Sequence, residues 1–152
     1  PFLVGGGTAL VSGRGEHVHY VRWRGDISYV LVYPGFPVST GWAYGNIRIG
    51  LTERSTYCRL LSSVEGAGEV EAGDILPSVE NDFLPLIETT HPEVRKVLGA
   101  FEEAGALGCS LSGSGSTLFG AFTDAALAAR VARDFDGDGY RVFVCRPYPV
   151  ER

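Results

Sequence analysis

Between residues 111 and 118 the chain reads Leu-Ser-Gly-Ser-Gly-Ser-Thr-Leu. A loop of small residues (Ser112, Gly113, Ser114, Gly115, Ser116 and Thr117) is set between two apolar runs, Gly108-Cys-Ser-Leu111 and Leu118-Phe-Gly-Ala-Phe122. Two short β-type runs joined this tightly read as neighbouring strands with a hairpin loop between them. Two glycines one residue apart open backbone angles that other residues resist. Successive amide N–H groups can then turn inward as an anion-binding nest, and the hydroxyls of Ser112, Ser114, Ser116 and Thr117 add donors. A merely flexible hairpin has the same composition. Position favours the functional reading, because the loop joins two buried-looking strands and is not a terminal linker.

The rest of the chain supplies the layers around that hairpin. Ser28-Tyr-Val-Leu-Val-Tyr33 is a near-continuous β-branched and aromatic run, which predicts a central strand. Pro34-Gly-Phe-Pro37 ends it, and Ser39 or Thr40 then caps a short helix through Trp42, Ala43 and Tyr44, with Gly45-Asn46 as its stop. The acidic, glycine-rich stretch 65–74 predicts a solvated loop or insertion. A short helix is expected over Asp82–Ile87, with Asn81 and Asp82 as cap residues. Val94, Val97, Leu98 and Phe101 fall at helical spacing behind Pro92 and stop at Gly105. Asp124 caps a further helix, with Ala125, Leu127, Ala128, Val131 and Ala132 facing inward. Asp136-Gly-Asp-Gly139 is a turn that lacks the spacing and terminal Glu of a calcium loop, and Tyr140–Cys145 is a final strand. The order strand, helical region, strand, loop, strand, helix, strand predicts an α+β, ferredoxin-like split βαβ sandwich. Its two inner strands are expected to be joined by the Ser112–Thr117 loop.

Ahead of that unit, Thr8–Val11 and Glu16–Trp23 read as a hairpin turned by Ser12-Gly-Arg-Gly15. A lone hairpin is marginal in water, so it needs a sheet to join. His17 and His19 share a strand face, but no third ligand stands nearby in sequence, so they read as strand histidines and not as a metal site. The 152 residues suit one domain with an appendage, and the net charge of −5 argues against nucleic acid or an anionic membrane as partner. No stretch approaches the roughly 20 apolar residues of a membrane span, and no signal peptide is legible. Cys58, Cys109 and Cys145 form no CxxC pair; Cys109 and Cys145 read as buried thiols, and a cytoplasmic location follows. There is no methionine, so a chain opening at Pro1 reads as a processed form or a piece of something longer.

Three stretches together resemble the 4-diphosphocytidyl-2-C-methyl-D-erythritol kinases of the GHMP kinase superfamily. They are Pro1-Phe-Leu-Val-Gly-Gly-Gly-Thr-Ala-Leu10 with Gly13-Arg-Gly-Glu16, Tyr33-Pro-Gly-Phe-Pro-Val-Ser-Thr40 with Tyr44, and Leu111–Gly120. Asn81-Asp82-Phe83 matches a further short signature. The resemblance covers only the C-terminal half of such an enzyme, since the main phosphate-binding loop and the family's lysine are absent. It implies a C-terminal domain over residues 25–152 and, over 1–24, a hairpin left from a missing N-terminal kinase domain. A catalytic aspartate is implied just upstream of Pro1, so no catalytic residue is expected in this chain, and no activity from it alone.

The same resemblance implies ATP-dependent phosphorylation of the 2-hydroxyl of 4-diphosphocytidyl-2-C-methyl-D-erythritol, in non-mevalonate isoprenoid biosynthesis. ATP and Mg2+ are implied to sit mainly in the missing half. Tyr44 resembles the position on which cytosine stacks, and Thr40 its neighbour on the cytidine. Gly5, Gly6, Gly7 and Thr8 would border the methylerythritol end. Ser112 to Thr117 would face the transfer site, with the Gly113, Ser114 and Gly115 amides near phosphate oxygens, or would buttress the ATP loop. The competing expectations are another GHMP kinase (for homoserine, mevalonate or a sugar) and a non-catalytic ferredoxin-like ligand-binding module.

Overall fold

The computed structural model describes residues 8–48, 69–137 and 139–147. Gly5 to Gly7, Cys58, and residues 65–68 of the acidic stretch lie outside the described residues. The centre of the larger sheet is Ser28–Tyr33, which becomes β3 after a hairpin of β1 (Thr8–Ser12) and β2 (His17–Arg24). Val30 and Val32 are wholly buried, as a strand covered on one side and paired on both edges requires. β3 pairs antiparallel with β6 (Leu118–Phe122), from Ser28 opposite Phe122 to Val32 opposite Leu118. On its other edge it pairs antiparallel with β7 (Arg141–Cys145), from Tyr29 opposite Cys145 to Tyr33 opposite Arg141. β5 (Gly108–Leu111) completes the sheet against β6, giving the order β5-β6-β3-β7.

That order is the ferredoxin-like one, with one correction. The inner strands are β3 and β6, so the Ser112–Thr117 loop joins an edge strand to an inner strand rather than two inner strands. The tight hairpin forces β5 and β6 to be neighbours. β6 spends its second edge on β3, and β5 is left outside.

One face of this sheet carries the two longest helices. α1 (Thr40–Asn46) follows β3 and is capped as its sequence predicts, the Ser39 hydroxyl accepting from Trp42 N at 3.3 Å. α4 (Glu93–Glu103) turns Val94, Val97, Leu98 and Phe101 inward, all buried. α5 (Ala125–Asp134) is capped by Asp124, which accepts from Ala126 N at 2.8 Å and Leu127 N at 3.3 Å. Its Ala128, Val131 and Ala132 meet Val30, Val32 and Phe122 in one core. Each fully buried valine, leucine or phenylalanine side chain contributes about 1.5–3 kcal/mol, so the helix stripes hold this layer together. Ala125, expected inward, is exposed. α3 (Leu84–Thr90) begins later than the expected Asp82, and its N-cap is Phe83 rather than Asn81 or Asp82, because Asn81 takes the turn ahead of it.

The 65–74 stretch is the largest departure. Glu69–Glu71 is a strand, β4, and it runs straight into α2 (Ala72–Ile75) and a 3₁₀ turn, Leu76–Ser78. β4 lies parallel to β2 with Arg22 opposite Glu69 and Arg24 opposite Glu71, so the N-terminal hairpin belongs to a three-stranded sheet β1-β2-β4. Arg24 reaches Glu71 at 3.4 Å and Glu69 at 3.7 Å; such exposed pairs are worth little. The burial of Val70, Ala72 and Leu76 carries the segment. Ala72 and Leu76 pack with Ile27 and Ala121 against the second face of the larger sheet. There Gly108 comes so close to Leu76 that a Cβ on it would sit 2.0 Å from the Leu76 carbonyl oxygen.

The cysteines also need one correction. Cys109 is half-buried, its Sγ 3.8 Å from the Leu98 carbonyl. Cys145 is exposed rather than buried, because β7 is an edge strand.

Candidate functional site

The Ser112–Thr117 loop closes on itself through Ser112 N to Thr117 O at 2.8 Å and Gly115 N to Ser112 O at 3.1 Å. Gly113 and Gly115 stand at φ +58° and +97°, where side chains other than glycine's are strained. The Gly115 amide is therefore spent inside the turn. Of the three amides expected near phosphate, Gly113 and Ser114 are the two this turn leaves.

Three separate elements then hold the loop from outside. The Ser116 hydroxyl, 3% exposed, donates to the carbonyl of Phe36. Phe36 is itself fixed by a face-to-face stack on His91, 3.7 Å between ring centroids with 7° between planes. The Thr40 hydroxyl, at the start of α1, lies 3.1 Å from the Ser114 hydroxyl. The Asn81 amide donates to Leu111 O at 2.8 Å and Gly113 O at 2.9 Å, while its oxygen accepts from Phe83 N at 2.8 Å. A loop with flexible composition is thus clamped from β3's exit, from α1 and from the turn before α3.

α1 brings the second expected group to the same place. Tyr44 lies one turn beyond Thr40 and is 66% exposed. Its ring meets Phe83 in a T-shaped contact, 5.0 Å between centroids at 81°. It is not a helix-to-core aromatic, and most of the side chain is open to solvent. Thr8, expected at the far end of the substrate, opens β1 opposite Val21, in the sheet that does not carry the loop. Asn81 was legible only as a cap. Its role as clamp spans 30 residues to Leu111, and the one signal for it was the Asn-Asp-Phe triplet, which the resemblance also marked.

Residues 70–141 match the family model described as GHMP kinases C terminal. The chain carries a GHMP kinase C-terminal domain. The 4-diphosphocytidyl-2-C-methyl-D-erythritol kinase of Pelotomaculum thermopropionicum is 33% identical to it over 148 residues, covering 97% of this chain and 51% of that protein. The kinase of the same name from Gloeobacter violaceus is 35% identical, covering 96% of this chain and 50% of that protein. The chain spans about half the length of the curated relatives it matches. Among solved structures, homoserine kinase from Cytophaga hutchinsonii superposes with a TM-score of 0.73 at 23% identity, covering 95% of this chain and 49% of that one. A 4-(cytidine 5'-diphospho)-2C-methyl-D-erythritol kinase superposes at 0.69 and 26% identity, covering 95% and 51%. The first likeness concerns the fold alone. Seen on this GHMP kinase domain, the third motif of the resemblance is the clamped loop, and the Tyr33–Tyr44 motif is the helix beside it.

Among the described residues no three His, Cys, Asp or Glu side chains converge as a metal site. The groups this chain offers near the loop are hydroxyls, amides and an aromatic ring. They suit binding and orientation of a phosphate-bearing, ring-bearing ligand. No helix among the described residues is long and apolar enough to cross a membrane.

Proposed function

We propose that the full-length protein transfers the terminal phosphoryl group of ATP to the 2-hydroxyl of 4-diphosphocytidyl-2-C-methyl-D-erythritol, in the cytoplasm, as a step of non-mevalonate isoprenoid biosynthesis. This chain supplies walls of the acceptor site. The observation that carries the reading is the exposed Tyr44 one helical turn from Thr40, whose hydroxyl touches Ser114 of the loop. A ring platform stands beside a small-residue loop, as a nucleoside diphosphate conjugate needs. The names of the relatives support it independently.

In this reading the cytosine stacks on Tyr44 and Thr40 steadies the cytidine beside it. The Gly113 and Ser114 amides, with the loop hydroxyls, face phosphate oxygens. Gly5 to Thr8 border the methylerythritol end. Phosphoryl transfer depends mostly on positioning and charge stabilisation, so a loop held from three sides lowers the reorganisation needed when charge develops. ATP, Mg2+ and the aspartate that takes the hydroxyl proton belong to the portion of the relatives that this chain does not span. Residues 1–24 belong with that portion and residues 25–152 form the C-terminal domain.

Steady-state kinetics of the full-length protein test this. The expected result is turnover with the cytidine-bearing acceptor. Tyr44→Ala should lower kcat/KM for it roughly 10- to 100-fold, the range a lost base–aromatic stack of about 1–3 kcal/mol produces. Turnover of homoserine, mevalonate or a sugar with no cytidine preference would overturn the proposal in favour of another GHMP kinase. Ligand binding without any turnover would favour a non-catalytic module.

A further inference from the structure

Asn81 does more than a helix start requires. Its side-chain oxygen accepts from Phe83 N at 2.8 Å, and an aspartate does that equally well, as Asp124 shows at the start of α5. What an aspartate lacks is a donor. Both Asn81 N–H groups are used, one on Leu111 O and one on Gly113 O, the two carbonyls that bracket Ser112. The amide orientation is fixed by these partners, since a flipped amide would set its oxygen against two carbonyls and its NH2 against an N–H.

The same residue is linked to the nucleobase side. Phe83, whose N–H it accepts, packs its ring against Tyr44. Two routes therefore connect the loop to α1: Ser114 to Thr40 directly, and Leu111 and Gly113 through Asn81 and Phe83 to Tyr44. We infer that Asn81 is a positioning residue that sets the separation between the phosphate-facing loop and the base-facing Tyr44. It does so by donating to the loop on one side and holding Phe83 N on the other, and the two donated bonds are the part an aspartate cannot make. This rests on the function proposed above, in which one acceptor molecule spans both groups.

The test is Asn81→Asp in the full-length protein, which keeps the acceptor for Phe83 N and places a carboxylate against two carbonyls. In the ligand-free protein, amide hydrogen exchange at Ser112 and Gly115 should accelerate at least tenfold while protection within α3 is unchanged. With the cytidine-bearing acceptor, KM should rise and kcat/KM should fall roughly 100-fold, the loss typical of a reactant misplaced by about an ångström. Loss of folded enzyme alone would lower kcat and leave KM in place. Asn81→Ser keeps a capping oxygen and one donor, so it should fall between wild type and Asn81→Asp in both readouts. It also decides the matter if the aspartate variant does not fold. Wild-type exchange and wild-type KM in either variant overturn the inference and leave Asn81 as a residue of the turn before α3. Should the wild-type protein not use the cytidine-bearing acceptor, the functional reading fails on its own, while the exchange data still decide whether Asn81 clamps the loop.

Discussion

The chain contains two turns of nearly the same composition that lead opposite lives. Ser12-Gly-Arg-Gly15 joins β1 to β2, and Ser112–Thr117 joins β5 to β6. Among the described residues the first is held by contacts within its own hairpin: Gly15 N donates to Ser12 O at 3.2 Å and Arg14 N to the Glu16 carboxylate. The second makes the same kind of internal closure and is then bound by Ser116, Ser114 and the Leu111 and Gly113 carbonyls to Phe36, Thr40 and Asn81. Glycine content sets what backbone angles are open to a turn, and tertiary partners decide whether one shape is populated. A loop that must present amides to an anion needs the second condition, since every ordering cost left to the binding step subtracts from affinity.

The largest effect is expected in the hairpin that carries the clamped loop, at its end away from the loop. Gly108→Ala should destabilise the domain by about 3 kcal/mol, the upper range of overpacking, because the added carbon meets the Leu76 backbone and not a movable side chain. Gly15→Ala should cost about 1–2 kcal/mol, the left-handed backbone penalty alone, since nothing lies within 4 Å of the site at φ +102°. Urea unfolding of both variants checks the order, and equal losses would dissolve the distinction between an embedded and a free turn. Next comes Ser116→Ala, expected to cost about 1–3 kcal/mol because it deprives the Phe36 carbonyl of its donor. Ser12→Ala, in the free turn, should stay within about 0.5 kcal/mol. A Ser12 variant as damaging as the Ser116 one would show that the first turn has partners of its own. Thr40→Val removes one exposed hydroxyl contact and should cost about 0.5–1 kcal/mol. Nuclear magnetic resonance should show it as line broadening confined to Ser114 and its neighbours, and unchanged Ser114 signals would rule the contact out.

The same contrast explains which parts of the molecule were legible in its sequence. The Ser28–Tyr33 strand, the Ser39 cap and the Val94–Phe101 stripe depend on residues within a few positions of one another. Periodicity and capping chemistry report such neighbours directly. β4 is three residues long, one valine between two glutamates. Its strand character comes from β2, 47 residues earlier at the Arg22–Glu69 pair, and no local pattern carries that. The edge position of β5 went unread for the same reason, because strand order depends on pairings across the whole sheet. At the site, the loop and Tyr44 were visible as residue types, and what brings them together was not. Ser116 to Phe36 spans 80 positions and Thr40 to Ser114 spans 74. Nothing in a serine's immediate surroundings tells a clamped hydroxyl from a solvated one.

The smallest expected effect uses the two edge strands as reporters of the clamp. Cys109 sits on β5, the edge strand that leads into the loop, and Cys145 on the opposite edge. Burial first, and the Glu102 charge second, push the Cys109 thiol up to about 11 from its ordinary 9.0. The Cys145 thiol is also raised by partial burial. The thiolate is the reactive form, so at pH 8 Cys109 is about a thousandth ionised and should alkylate more slowly than exposed Cys145 in a Cys58→Ser background. The sign of the linkage follows from the same shift. The folded state favours the neutral thiol, so its contribution to stability is whole below pH 9.0 and is lost as pH rises towards about 11. Loosening the loop should open the β5 edge and lower the desolvation that raises this thiol. Asn81→Asp should therefore speed Cys109 labelling severalfold and leave Cys145 unchanged. The clamp then acts on the strand as well as the loop. Parallel acceleration at both cysteines would instead mean that the substitution loosens the whole sheet, and the contrast between the two turns would lose its local basis.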